Sequence, residues 1–295
     1  MELVVEFGDE TLRQHILYEL SVVARIIARQ TTPLAIERII VPKDYLNQIN
    51  SFRQEHYEPS CRGIKSLAKM LDLPDRYMIV ISPDLYTGHY DIYQRFFVYL
   101  HEIYHVLNRK QIQEPLTPSI SGMIYFTNLC SLFDEYVANR DALRVLETVF
   151  AENRHDIFQS IERDLKAFVL ILQDERFVED LEEKLKQFQI HEDLPKFLQN
   201  IRKDFSEISL TIVFVFSIVD HFSRFKRYLP AAQASGFVNE ETLALMNYFR
   251  QKYEQRDFDL RDGLDVMDGF MANFGTRFDD ALEVGTYQLQ TNSSN

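Results

Sequence analysis

The sequence predicts an α+β fold dominated by α, with a small sheet near the N-terminus and helices from there on. Three observations lead to this. Two windows read as strands, 36–41 and 77–81, and both come early. From residue 151 onward, apolar residues recur almost throughout at helical spacing. Gly and Pro number nine each, too few for a turn-dense β-sandwich. A boundary near residue 150 separates a region 1–150 that holds the strands from a helical region 151–295, with no flexible linker between them.

The elements follow in order. Leu12, Ile16, Leu17, Leu20, Val23, Ile26 and Ile27 place one apolar face on a helix over 10–30, which Thr31, Thr32 and Pro33 end. Ile36 to Val41 is a short strand closed by Pro42, and 44–54 a short helix. Residues 55–63, with Pro59 and Gly63, read as a loop, and Ile64 to Leu71 as a helical turn or two stopped by Pro74. Tyr77 to Ile81 is the strongest strand, and Ser82-Pro83-Asp84 stops it because Pro has no N–H for the ladder. A helix of about twenty residues after Gly88 reaches Asn108. Pro115 and Pro118 mark a connection, and Ser119 or Ser121 caps a helix to about Phe150. Further helices are expected over 155–173, 175–189, 194–228, 239–256 and 262–273, with a polar tail at 286–295.

Composition narrows the function classes. Lys plus Arg is 32 against 45 Asp plus Glu, a net charge of -13, which opposes a phosphate backbone or an anionic membrane as principal partner. Arg224, Lys226 and Arg227 form one tight basic cluster, read as a solvated face. Two cysteines, Cys61 and Cys130, make no disulfide framework or zinc ribbon. The first residues lack the basic and apolar regions of a secretory signal, and the most apolar window, Ile208 to Val219, is shorter than the ~20 residues of a membrane span. The expectation is a cytoplasmic protein with that window as a buried helix. Asp257, Asp259, Asp262, Asp265 and Asp268 lack EF-hand spacing and read as a cap and a solvated face.

The chemistry centres on His101-Glu102-Ile103-Tyr104-His105. Residues i and i+4 share one helix face, so two imidazoles so spaced can bind one Zn²⁺. Glu102, one residue round the helix, can reach a water on the metal and take its proton, as a general base does. Random placement gives ~0.02 such motifs per chain of this composition, so context has to decide. The motif lies within Phe96 to Leu107, apolar almost all round, where buried polar side chains need partners. The competing reading has the two histidines satisfy each other or the backbone. A catalytic site needs a third protein ligand. Glu135, thirty residues after His105, stands on the next helix, with Ala138 one turn on to allow close approach. Asn139, at i+4 from Glu135, could accept the free ring N–H of a ligand histidine. Spacing alone leaves open that Asp134 and Glu135 face water.

H-E-x-x-H followed by Glu135-x-x-Ala138-Asn139 on the next helix resembles the gluzincin metallopeptidases, most closely the ImmA/IrrE family of compact soluble zinc peptidases. The order is similar too: strand 77–81, His101, Glu102 and His105, then Glu135, over residues 77–150. Tyr104 stands where that family usually has Gly, and Arg140-Asp141-Ala142-Leu143 replaces its usual continuation. The string Glu135 to Arg140 also resembles one in HtpX-like membrane peptidases, which have membrane spans. The ImmA/IrrE resemblance implies a zincin-like fold, a Zn²⁺ cofactor held by His101, His105 and Glu135, and Glu102 as general base on zinc-bound water. It implies a zinc-dependent metalloendopeptidase acting on a protein or peptide, often a DNA-binding repressor of the helix-turn-helix type. A second electrophile for the oxyanion is expected among His89, Tyr104, Tyr125, Tyr136 and Arg140, and Tyr77 to Ile81 as the edge on which an extended substrate pairs. The alternative is a catalytically silent zincin-like module that binds a partner through 151–295. The intact Glu102 favours the enzyme.

Overall fold

In a computed structural model the described residues are 1–29, 35–52, 66–109, 111–112, 120–174, 176, 179, 183–184, 186–187 and 194–274, with backbone alone for 120–124 and 194–203. The expected loop at 55–63, Cys61, the stop at Thr31–Pro33, the prolines of 113–119, the Ser119 cap, the tail at 286–295 and most of the helix over 175–189 lie outside them. The described chain forms two compact units, one of residues 1–110 with 138–161 and one of 111–137 with 162–295.

The first unit is built on a four-stranded mixed sheet. Its strands are β1 (Glu2–Val5), β2 (Ile36–Val41), β3 (Ala68–Leu73) and β4 (Arg76–Ile81), in the order β1-β2-β4-β3. β1 pairs parallel with β2, and β2 parallel with β4. β3 pairs antiparallel with β4, Leu73 opposite Arg76. The helical turn expected over 64–71 is therefore corrected: from Ala68 onward the chain is a strand. Pro74 followed by Asp75 at φ 72 is the pattern of a two-residue type II turn, and it folds β3 back onto β4. β1 is a further strand that the sequence reading did not anticipate.

β4 is apolar at every inward position because both faces of the sheet are covered. Met78 and Val80 pack with Ile40, Leu71, Tyr45 and Ile49, the last two from helix α2 (Tyr45–Asn50). Ile79 and Ile81 alternate with them, each at most 1% exposed, worth ~1.5–3 kcal/mol apiece in removal from water. Helix α1 (Glu10–Ala28), capped by Asp9, buries Ile16, Leu20 and Val23. A short helix α3 (Asp84–Thr87) leads to α4 (Ile92–Asn108), which packs on β3, β4 and α1. Asp91 caps α4 in a reciprocal box: Gln94 N–H donates to Asp91 Oδ1 at 3.0 Å, and the Asp91 N–H to Gln94 Oε1 at 2.9 Å.

Helix α5 (Ile120–Val149) is unbroken for 30 residues and supplies segments to both units. After a 3₁₀ turn at Ala151–Asn153 comes α6 (Arg154–Leu172). The second unit adds α7 (Leu194–His221), a 3₁₀ turn (Ser223–Tyr228), α8 (Leu229–Gln233), α9 (Glu240–Gln255) and α10 (Leu264–Ala272). The helix expected over 194–228 thus changes geometry at Phe222. The apolar window 208–219 is buried within α7, apart from Leu210 and a half-buried Phe214, and no described helix is long and apolar enough to cross a membrane. Phe133 of α5 meets Phe249 of α9 in a tilted pair, ring centroids 5.4 Å apart, with Phe216, Leu245 and Phe270 also buried in this unit. Arg224, Lys226 and Arg227 are exposed as expected, and Arg227 pairs with Glu162. In the C-terminal acidic run Asp262 and Asp265 are exposed as expected, and three of its members gather round one lysine. The Lys252 ammonium, in a residue 8% exposed, donates to Asp257 Oδ2 at 2.7 Å and to the Asp259 carbonyl at 2.6 Å, and pairs with Asp262 Oδ1 at 2.9 Å.

Candidate metal centre

α4 brings the motif into the first unit because its apolar stripe is wide. Phe96, Phe97, Tyr99, Leu100, Ile103, Tyr104 and Val106 are all buried, so the polar residues between them are carried inward as well. His105 is 8% exposed, Glu102 8%, and His101 half-buried. The i, i+4 spacing puts His105 Nε2 2.9 Å from His101 Nε2, the rings nearly perpendicular at 86°. A neutral pair at that distance shares one hydrogen bond, which is the competing reading of the motif. The same distance is short enough for two ring nitrogens to share one ion. Two nitrogens bound to one tetrahedral zinc at ~2.0–2.1 Å lie ~3.3 Å apart, so only a small adjustment separates the states.

Glu135 on α5 is the third member. One ligand atom from each of His101, His105 and Glu135 lies within 4.8 Å of the others. Among the described residues this is the one group of three or more potential ligands so placed. The reading that left Glu135 facing water does not describe it. Ala138, one turn on, is fully buried, as its small side chain allows. Two imidazoles and a carboxylate are the donor set of an open catalytic zinc site, with a fourth position left for water. A buried acceptor fits as well: Asn139 is 2% exposed and its Oδ1 has no hydrogen-bond partner among the described residues. A metal-bound histidine must turn its other ring N–H to some acceptor.

Glu102 sits round the helix from the histidines, and its Oε2 accepts the backbone N–H of Met70 on β3 at 2.5 Å. This corrects the expected substrate edge. β4, the strand read as that edge, lies between β2 and β3 with both sides paired. The edge next to the motif helix is β3, and the Met70 N–H that reaches Glu102 points away from β4 because it is not spent on the ladder.

The candidates for a second electrophile separate. Tyr136 is fully buried and its hydroxyl donates to Asp220 Oδ2 at 2.7 Å, so it is withdrawn from that role. His89 is exposed between α3 and α4, Tyr104 is buried, and Tyr125 and Arg140 are half-buried.

A supporting network went unread in the sequence. Glu19 of α1, 2% exposed, accepts two hydrogen bonds from Arg95 at 2.5 and 3.0 Å and one from the Tyr99 hydroxyl at 3.1 Å. The Tyr86 hydroxyl lies 2.6 Å from that of Tyr99. Burial, above all, pushes both hydroxyls above the usual tyrosine range, and the Glu19 carboxylate adds to it. The network ties α1 to the first half of α4. A signal was available, since Glu19 falls on the stripe of Ile16, Leu20 and Val23, where a carboxylate requires a buried partner.

Comparison of the chain with protein families, curated proteins and solved structures found no match.

Proposed function

We propose that this chain is a zinc-dependent metalloendopeptidase that cleaves a protein partner. The observation that carries the reading is the convergence of His101, His105 and Glu135, from two helices and thirty residues apart, with ligand atoms inside 4.8 Å. Zinc held there would polarise the scissile carbonyl and acidify a water at the fourth position.

The chain's own residues do the rest. His101, His105 and Glu135 hold the ion, and Asn139 accepts a ring N–H to set a histidine's tautomer. Glu102 takes a proton from the attacking water as its oxygen adds to the carbonyl carbon. When the C–N bond breaks, Glu102 passes that proton to the departing nitrogen. An extended substrate adds to the outer edge of β3. Its carbonyl replaces Glu102 as acceptor of the Met70 N–H, which frees the carboxylate for the water. The ImmA/IrrE resemblance favours a DNA-binding repressor as the partner. With a net charge of -13, contact with the nucleic acid falls to that partner. The helical region 151–295 serves substrate choice or regulation.

The test is zinc content together with partner capture. Purified protein is expected to hold about one zinc per chain, His101→Ala to lose it, and Glu102→Gln to keep it while retaining an uncut partner. Wild-type protein without zinc, and indistinguishable from His101→Ala in metal binding and stability, would remove the site. Wild type and Glu102→Gln acting alike on an identified partner would leave the silent binding module in its place.

A further inference from the structure

The residue after the third ligand is built into a buried polar network that the proposed chemistry does not use. Tyr136 is fully buried between Phe249 and Tyr253 of α9, ring centroids at 5.9 and 6.1 Å. Its hydroxyl donates to Asp220 Oδ2 at 2.7 Å. The other oxygen of Asp220 accepts from Arg250 Nη2 at 2.6 Å. The Asp220 side chain is 3% exposed and that of Arg250 36%. Asp220 closes α7, and Arg250 stands on α9 beside Phe249, so one carboxylate joins three helices of the second unit.

We infer that Tyr136, Asp220 and Arg250 are positioning residues for Glu135. The inference rests on the metal-site reading above and assigns the region beyond residue 150 a second task, holding a ligand in place. The physical argument is leverage. Glu135 and Tyr136 are adjacent on one rigid helix, about 100° apart around its axis. A phenol fixed at its far end by a hydrogen bond sets the rotation of that helix. A roll of ~10° would carry a carboxylate ~6 Å from the axis by ~1 Å, against a tolerance of about 0.2 Å for ligand distances. A tyrosine held only by packing can slide along its ring plane. One held by a buried carboxylate whose other oxygen is fixed by Arg250 cannot, because sliding away would leave the buried Oδ2 of Asp220 without its donor.

The test uses the full chain and zinc alone. Zinc dissociation constants are measured by competition with a chromophoric chelator for wild type, Tyr136→Phe, Asp220→Asn and the double variant. Thr242→Val is the control, since it removes another fully buried hydroxyl of the same unit, donating to the Phe237 carbonyl at 2.6 Å. Melting temperatures without metal are recorded for all. Tyr136→Phe is expected to weaken zinc binding ~10-fold and Asp220→Asn at least as much, with the double variant no weaker than Asp220→Asn and the control within about twofold. Tyr136→Phe within about twofold of wild type would overturn the inference while leaving the metal site standing. So would equal weakening by Tyr136→Phe and Thr242→Val, which would mark a purely structural role. Wild type that binds no zinc would overturn the site itself and this inference with it. Should Asp220→Asn fail to fold, Tyr136→Phe alone carries the decision.

Discussion

Replacing Asn139 with Ala separates a residue that waits for a metal from one that merely fills the core. Asn139 is 2% exposed and its Oδ1 has no partner among the described residues. A buried acceptor left unmet costs ~1–3 kcal/mol in the metal-free fold. Truncation removes that cost and leaves a cavity of ~30 Å³, worth ~0.7 kcal/mol. The balance is ~0.3–2.3 kcal/mol in favour of the variant, so metal-free stability should hold or rise. If zinc binds as proposed, Oδ1 gains a ring N–H to accept, and losing such a partner lowers metal affinity ~10–100-fold, or ~1.4–2.7 kcal/mol. The assays are urea unfolding of the metal-free protein and chelator competition for zinc. A metal-free destabilisation above ~2 kcal/mol with unchanged zinc affinity would refute the reasoning, because Asn139 would then be serving the core and not a ligand.

Glu19→Ala should destabilise the protein by ~3–5 kcal/mol in urea unfolding, nearer the lower figure because Arg95 is 15% exposed, since it strips a buried guanidinium and the Tyr99 hydroxyl of their acceptor. A loss under ~1 kcal/mol would show that the network contributes little. Stability should also fall above pH ~10, because unfolded tyrosines ionise there while Tyr86 and Tyr99, with raised folded values, keep their protons. The full contribution is present below pH ~10, and each tyrosine adds a slope of about -1.4 kcal/mol per pH unit above it, so unfolding of Tyr99→Phe across that range should show a shallower fall than wild type.

The helices were legible because an amphipathic helix writes its period into the chain. α1, α4, α6, α9 and α10 begin and end within a few residues of the places their apolar spacing and caps indicate. β4 was legible as an apolar run, Met78 to Ile81, covered on both faces, and β2 as Ile36 followed by the apolar Ile39, Ile40 and Val41, closed by Pro42. β3 was not. Ala68, Lys69, Met70 and Leu71 favour helix when taken alone, and a strand forms there because Pro74 and Asp75 turn it onto β4. Pro74 ends a helix as readily as it opens a turn, so the residue alone does not tell the two apart. β1 is four residues long and owes its existence to β2 beside it.

The motif likewise contained only what one helix can encode. His101 and His105 on one face, with Glu102 round from them, follow from 3.6 residues per turn and hold in any fold that keeps α4 helical. Three further matters depend on segments distant in the chain. That Glu135 offers a ligand atom within 4.8 Å of the two histidines is a matter of tertiary structure, since spacing alone left Asp134 and Glu135 open to water. The sheet edge beside α4 is β3, not β4, because strand order is set by pairing partners and the 2.0 period of a strand does not encode its neighbours. Tyr136 turns from a candidate for oxyanion binding into an anchor because Asp220, 84 residues on, takes its hydroxyl. Local periodicity carries chemistry along a helix. Which helix that chemistry meets is decided by burial summed over the whole core, a property no single window of the chain contains.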